Sequence, residues 1–218
     1  MAKLVEGILF DLDGTLLDTA KDLGAALNKQ LSEMQRPLVA YADYRKIASD
    51  GANGMLELGF SDDLAHLDFM ALRQQFLRYY AQEICKHTRY FDGVEKLLFE
   101  LNQRAIPWGI VTNKPGYLTA ELLTYFPLLA QCQVIVSGDT LHERKPHPLP
   151  LLYAAQKLEL SVAQLCYVGD ALRDIQAAQA ANITSVVAEY GYIANLDMAK
   201  QWQADFHISL ATDLLAYC

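Results

Sequence analysis

Two aspartates separated by one residue are the clearest chemical signal in the sequence. Asp11 and Asp13 stand where the apolar run at residues 5–12 ends, and Gly14 follows them. If the run is a β-strand, its period-two alternation puts both carboxylates on the same side, and Gly14 permits a sharp turn. Because open α/β sheets bind ligands at the carboxyl ends of their strands, we expect the pair to face a binding site.

Polar residues follow three later segments in the same way. They are Thr112, Asn113, Lys145, Asp170 and Asp174. Taken alone, each is compatible with an ordinary loop or helix start, but their order along the chain favours one common site. Carboxylate and water oxygens are ligands that suit Mg²⁺, and a carboxylate nucleophile suits phosphoryl transfer through an acyl phosphate. These residues therefore predict a Mg²⁺-dependent phosphoryl-transfer site.

Short apolar runs rich in Val and Ile alternate with helical patterns along most of the chain. The predicted strands are residues 5–12, 106–112, 134–137, 165–169 and 183–188, with a weaker one at 206–208. Strands that alternate with helices predict βαβ units and a parallel sheet covered on both faces. The sequence therefore predicts an α/β fold with a Rossmann-like parallel sheet.

The stretch 17–87 differs from the rest because it contains helical patterns and no convincing strand. One apolar stripe lies after Asp18 and Thr19, the candidate N-caps, and a second helix is predicted to begin at Ser61. The stripe consists of Leu23, Leu27, Leu31 and Met34. Between the two, the glycine-rich segment 49–54 predicts a loop. We expect a catalytic core of residues 1–16 and 88–218 with an inserted α-helical cap at 17–87.

Charge and cysteine usage limit the partners and the compartment. The chain has 26 acidic and 18 basic residues, a formal net charge of −8, which argues against nucleic-acid or anionic-membrane binding. No apolar run approaches the roughly 18 to 20 residues of a membrane span. The 4 cysteines show no CxxC spacing, so we predict free thiols and a cytoplasmic, reducing location.

The motifs together resemble those of the haloacid dehalogenase-like phosphohydrolases. FDLDGTLLDT, the Thr112-Asn113 pair, the lysine of KPHP and GDALRD occur in that family's order over nearly the whole chain. The helical insertion is similar to the cap of the phosphoglycolate phosphatase branch. The dehalogenase branch generally lacks the second aspartate, so Asp13 favours phosphate chemistry over carbon–halogen cleavage.

The resemblance implies a role for each acidic residue. Asp11 would be the nucleophile and a Mg²⁺ ligand. Asp13 would act as general acid and then as general base, and its backbone carbonyl would also bind the metal. Asp170 would be a direct ligand, and Asp174 would bind the metal directly or hold a metal-bound water.

The remaining residues would bind the substrate. Thr112 and Asn113 would hydrogen-bond phosphoryl oxygens, and Lys145 would neutralise charge on them. Asn53, in the glycine-rich segment, is predicted to contact the leaving group. Arg45 and Lys46 are candidates for binding a substrate carboxylate.

The expected reaction is hydrolysis of a small phosphomonoester metabolite through an aspartyl-phosphate intermediate. The leading substrate is 2-phosphoglycolate. The alternatives are a sugar phosphate such as N-acetylmuramic acid 6-phosphate, a phosphosugar mutase reaction of the same superfamily, and a catalytically silent binding module. Oligomeric state is open at this point.

Overall fold

The central element of the computed structural model, which describes residues 5–218, is a sheet of 6 parallel strands. The strands along the chain are β1 (Gly7–Phe10), β2 (Leu17–Asp18), β3 (Arg89–Tyr90), β4 (Trp108–Val111), β5 (Val134–Val136), β6 (Leu165–Gly169), β7 (Thr184–Ala188) and β8 (Phe206–Ile208). The large sheet has the order β5-β4-β1-β6-β7-β8, while β2 and β3 form a separate antiparallel ribbon. Each neighbouring pair of the large sheet is parallel.

Helices fill the connections between the strands. They are α1 (Ala20–Glu33), α2 (Tyr41–Tyr44), α3 (Gly51–Phe60), α4 (Phe69–Gln82), α5 (Val94–Gln103), α6 (Gly116–Leu123), α7 (Leu149–Lys157), α8 (Leu172–Ala180) and α9 (Leu196–Ala199). Short 3₁₀ helices span Arg45–Asp50, Ser61–His66, Leu129–Gln131, Val162–Gln164, Lys200–Trp202 and Ala211–Ala216. None of the helices within residues 5–218 combines the length and apolar character needed to cross a bilayer.

The sequence of strand β1 is continuously apolar because both of its faces are buried. Ile8 and Phe10 pack into the cluster on one face of the sheet, which includes the apolar side of α5. Leu9 packs on the other face, against residues of α7 and α8. A strand buried on both faces needs no polar alternation. The predicted α/β fold with a Rossmann-like parallel sheet is confirmed.

The expected strands all form, and two have the expected limits. Strands β6 and β8 match 165–169 and 206–208, whereas the other four are shorter than their apolar runs. The expectation of no strand within 17–87 was wrong, because Leu17 and Asp18 pair with Tyr90 and Arg89. A strand of two residues is too short for alternation to reveal it.

The segment 49–54 is helical rather than a loop, which corrects the sequence prediction. Residues up to Asp50 form a 3₁₀ helix and α3 begins at Gly51. Gly59 of α3 serves packing, because a Cβ there would lie 2.7 Å from Cδ1 of Leu27. Gly59 therefore allows α3 to approach α1 closely, which a larger residue would prevent.

The predicted start of the second helix within residues 17–87 was also wrong. Ser61 begins a 3₁₀ helix, and α4 starts only at Phe69. Asp68 provides the N-cap, since its side chain accepts a hydrogen bond of 3.0 Å from the N–H of Ala71. Capping by Asp68 satisfies one of the free N–H groups of the first turn and fixes where the helix begins.

Candidate active site

The carboxyl ends of three neighbouring strands bring the predicted residues together. Strand β1 lies between β4 and β6, so Asp11, Thr112 and Asp170 leave the sheet at the same edge. Gly14 makes the turn after β1 possible, because its φ is +87° and a Cβ there would lie 2.2 Å from Oδ2 of Asp170. Parallel strand order thus explains why residues distant in sequence meet here.

Three buried carboxylates form the centre of the site. Oxygens of Asp11, Asp170 and Asp174 lie within 4.8 Å of one another. Burial, together with the charges of Asp174 and Asp11, raises the pKa of Asp170 from 3.8 to about 7. Burial also raises the pKa of Asp11, against the opposing effect of Lys145. A buried donor set that consists of carboxylate oxygens alone fits a hard divalent cation such as Mg²⁺.

Lys145 supplies a buried positive charge to the cluster. Its Nζ lies 3.0 Å from Oδ1 of Asp11 and 2.8 Å from Oδ1 of Asp174. The ammonium also donates a hydrogen bond of 2.6 Å to the hydroxyl of Tyr167. With its side chain 1% exposed, Lys145 offsets part of the acidic charge without solvent screening.

Asn113 holds the backbone of Lys145. Its amide nitrogen donates to the carbonyl of Lys145 at 2.9 Å, and its amide oxygen accepts from the N–H of Lys145 at 3.1 Å. The structure therefore gives this side chain a positioning function, and its contact with phosphoryl oxygens stays a prediction. Thr112 lines the neighbouring cavity, and its Oγ1 accepts a hydrogen bond of 3.2 Å from the N–H of Lys114.

Asp13 lies beside the acidic cluster and has partners of its own. Its Oδ1 accepts hydrogen bonds from Oγ1 of Thr19 at 2.6 Å and from Nζ of Lys114 at 3.0 Å. Thr19 is the N-cap residue of α1, as predicted, but its hydroxyl donates to Asp13 instead of capping the helix. Lys114 also donates a hydrogen bond of 2.9 Å to the hydroxyl of Tyr80, which belongs to α4.

A cavity of about 420 Å³ separates this edge of the sheet from helices α3 and α4. Asp11, Asp13 and Lys145 line it on the sheet side, whereas Asn53 and Arg73 line it on the helical side. The arrangement places carboxylate and cationic side chains around a space large enough for a small metabolite.

Comparison with known proteins agrees with this geometry. The sequence model of the haloacid dehalogenase-like hydrolases matches residues 8–188. The chain belongs to this hydrolase family. A phosphoglycolate phosphatase of Xanthomonas campestris pv. campestris (strain 8004) is 46% identical to it over 91% of this chain and 89% of the relative.

Two further comparisons place this hydrolase among the members of its family. An N-acetylmuramic acid 6-phosphate phosphatase of Pseudomonas putida is 35% identical over 92% of this chain and 90% of the relative. The crystal structure of a predicted phosphoglycolate phosphatase from Haemophilus somnus 129pt superposes with a TM-score of 0.87, at 28% identity and 99% coverage of both chains.

The helical part of this haloacid dehalogenase-like hydrolase contacts the acidic cluster directly. Oγ of Ser49 donates to Oδ2 of Asp170 at 2.6 Å, and the same oxygen accepts from the N–H of Tyr192 at 2.8 Å. Arg173 directly precedes Asp174 in sequence; it pairs with Asp50 at 2.7 Å and donates to the carbonyl of Ser49. The cluster thus fixes the end of the 3₁₀ helix that precedes α3.

The basic residues chosen from the cap sequence lie elsewhere. Arg45 donates to the carbonyl of Gly191 at 3.0 Å, and Lys46 pairs with Asp43 at 3.5 Å. Neither lines the cavity, so the structure does not bring them to the predicted carboxylate site. Sequence reasoning instead missed Lys114, although its place directly after Thr112-Asn113 at a strand end was a usable signal.

Proposed function

We propose that this hydrolase is a Mg²⁺-dependent phosphatase that cleaves a small phosphomonoester through an aspartyl-phosphate intermediate. The buried cluster of Asp11, Asp170 and Asp174, held around Lys145 at the edge of the cavity, carries the proposal. The leading substrate is 2-phosphoglycolate, since the 46% identical relative is named for it.

The acidic cluster would hold the metal. Asp11, Asp170 and Asp174 would supply carboxylate oxygens, and Asp13 its backbone carbonyl. Bound Mg²⁺ would stabilise the negative charge on the phosphoryl oxygens. Because the three carboxylates are buried within 4.8 Å of one another, a cation also removes the repulsion among their ionised forms.

In the first step, Asp11 attacks phosphorus. Its Oδ1 accepts a hydrogen bond from the N–H of Leu12 at 2.7 Å and forms an ion pair with Nζ of Lys145 at 3.0 Å. We assign the attack to the other oxygen. The new bond joins this oxygen to phosphorus while the bond to the leaving alcohol breaks, and Asp13 gives its proton to that alcohol.

In the second step, Asp13 acts as the base. It takes a proton from a water molecule whose oxygen then bonds to phosphorus, and the bond from Asp11 to phosphorus breaks. Inorganic phosphate leaves and the Asp11 carboxylate is restored. Thr19 and Lys114 keep the Asp13 carboxylate in place for both transfers through their bonds of 2.6 and 3.0 Å.

The same proposal assigns catalysis and substrate selection to two different parts of the chain. Residues 1–16 and 88–218 form the catalytic core, and residues 17–87 form a cap that selects the leaving group. The cavity supports this division, because its phosphoryl-handling residues come from the strand ends and its opposite wall comes from α3 and α4.

A sugar phosphate is the second candidate substrate. Two observations favour it: the N-acetylmuramic acid 6-phosphate phosphatase is 35% identical, and the cavity of about 420 Å³ is within the range of sites that bind ligands well above the size of glycolate. A cytoplasmic location is also part of the proposal, supported by the free thiols of Cys85, Cys132 and Cys166.

Phosphate release from 2-phosphoglycolate tests the function. Asp11→Asn keeps the shape of the side chain but removes the attacking charge, so kcat should fall at least about 10³-fold, or about 4 kcal/mol. Chelation should abolish turnover, and Mg²⁺ should restore it whereas the larger Ca²⁺ should not. Asp62→Asn, an exposed acid outside the cavity, is the matched control. An Asp11→Asn protein that retains a tenth of the activity would contradict the covalent mechanism.

A further inference from the structure

Arg73 presents an unpaired positive charge to the cavity from its helical side. Its Nε donates a hydrogen bond of 3.2 Å to Oδ1 of Asn53, and both residues line the cavity. The two terminal nitrogens of the guanidinium form no hydrogen bond or ion pair with any residue in 5–218. Glu57 also lines the cavity, but no ion pair joins it to Arg73.

Three other cations that line the same cavity are already neutralised. Lys114 pairs with Asp13 at 3.0 Å, Lys145 with Asp11 at 3.0 Å, and Arg173 with Asp50 at 2.7 Å. All three belong to the chain segments that follow the strands. Arg73 therefore differs from them in both position and charge balance, since it lies on the opposite wall and lacks an acidic partner.

The orientation of Arg73 suits a planar anion. Because Asn53 occupies Nε, the two terminal nitrogens remain as a parallel pair of donors, and such a pair binds both oxygens of a carboxylate. The phosphoryl end of a substrate belongs at Asp11 and Lys145, on the sheet side. An anionic group at Arg73 must therefore lie on the leaving-group part of the ester.

We propose that Arg73, oriented by Asn53, binds a carboxylate on the leaving group, so that the substrate class is a phosphorylated carboxylic acid. This inference rests on the proposed phosphatase function. Both substrates favoured above, 2-phosphoglycolate and N-acetylmuramic acid 6-phosphate, carry such a carboxylate. The shared acidic group, rather than the size of the leaving group, is what the helical wall recognises.

Two pairs of esters test the inference, because the members of each pair differ by the carboxylate. Ethyl phosphate has a methyl group where 2-phosphoglycolate has the acid, and N-acetylglucosamine 6-phosphate lacks the lactyl acid of N-acetylmuramic acid 6-phosphate. The readout is the ratio of kcat/KM for the two members. In at least one pair the wild type should favour the acidic ester by about 10-fold or more, as expected for charge-assisted hydrogen bonds.

Arg73→Met should lower that ratio by about 10- to 100-fold, because the lost bonds involve charged groups. Arg73→Lys should restore part of it, and Asn53→Ala should lower it by a smaller factor because it only frees the guanidinium to reorient. Arg78→Met removes a charge from an exposed residue of the same helix outside the cavity and should leave the ratio unchanged.

Three results would overturn the inference. The first is that Arg73→Met lowers kcat/KM equally for both members of a pair. The second is that the wild type prefers the acidic ester in neither pair. The third is that Arg144→Met, and not Arg73→Met, loses the preference for the acidic ester. Arg144 lines the cavity beside Lys145. Hydrolysis of 4-nitrophenyl phosphate, which has no carboxylate, reports the proposed function separately. Hydrolysis of none of these esters with Mg²⁺ would overturn that function, whereas hydrolysis without carboxylate preference would overturn this inference alone.

Discussion

The two walls of the cavity differ in how firmly their functional groups are held. On the sheet side, Asp11, Asp174 and Lys145 are each at most 4% exposed and joined by ion pairs of 2.8 to 3.0 Å. On the helical side, Asn53 and Arg73 are partly exposed and share a single hydrogen bond of 3.2 Å.

This difference corresponds to two kinds of task. Phosphoryl transfer needs charges fixed within a fraction of an ångström, and buried, mutually bonded groups provide that. One or two hydrogen-bond donors are enough to recognise a leaving group, and a substitution can change them without unfolding the protein. The sheet side should therefore combine catalysis with stability, whereas the helical side should affect selectivity alone.

Lys145→Met is the strongest test of this contrast. The substitution leaves the buried carboxylates of Asp11 and Asp174 without their cation, so the free energy of unfolding of the metal-free protein should fall by about 3 kcal/mol. Arg73→Met should change it by less than about 0.5 kcal/mol. Denaturant unfolding in chelator measures both. Adding Asp174→Asn to Lys145→Met should recover part of the loss; no recovery would contradict the charge argument.

A second test uses the dependence of metal-free stability on pH. Burial raises the pKa of Asp170 to about 7, above its value in the unfolded chain, so the folded protein holds this proton more tightly. The contribution of this proton to the free energy of unfolding is complete below about pH 4. It decreases by about 1 kcal/mol per pH unit as the pH rises towards 7. Asp170→Asn should remove this contribution to the pH dependence of the free energy of unfolding, which denaturant unfolding in chelator measures at each pH. If the free energy of unfolding of the two proteins changes with pH in the same way, the prediction is contradicted.

Lys114 provides the smallest and most specific test, because it joins the two walls. It bonds Asp13 on one side and the hydroxyl of Tyr80 in α4 on the other. Burial raises the pKa of Tyr80 well above its ordinary range, so the hydroxyl stays protonated and accepts from the ammonium. Lys114→Met should loosen Asp13 and weaken proton donation to the leaving alcohol.

The expected signature of Lys114→Met is a changed dependence on the leaving group. Alkyl phosphates need the proton from Asp13 more than 4-nitrophenyl phosphate does, so their kcat should fall about 10-fold further. Tyr80→Phe should produce a weaker form of the same pattern. A uniform loss across all esters would show that Lys114 has only a structural function.

Much of the fold and the sheet side of the site could be predicted because their signals are local. Apolar runs mark strands that are buried on both faces, and polar residues directly after those runs must lie at one edge of a parallel sheet. That reasoning located Asp11, Thr112 and Asp170 from sequence alone. It needed no knowledge of how the helices pack.

The helical side was less predictable because its signals depend on tertiary packing. The sequence of 49–54 predicts a loop, yet the segment is helical, and Gly59 further along α3 allows close contact between α3 and α1. Arg45 and Arg73 carry the same charge in the sequence, and only the folded arrangement shows that Arg45 bonds backbone carbonyls while Arg73 lines the cavity.

The hydrogen bonds between the Asn113 side chain and both backbone groups of Lys145 have a consequence for protein engineering. Lys145 is positioned from the end of β4 rather than by the path of residues 138–144, most of which are exposed. The exposed tip of that loop, His142 and Glu143, is therefore free to change while the ammonium stays where it is. A short peptide, such as an affinity tag or a reporter epitope, should therefore be tolerated between residues 142 and 143 without loss of turnover.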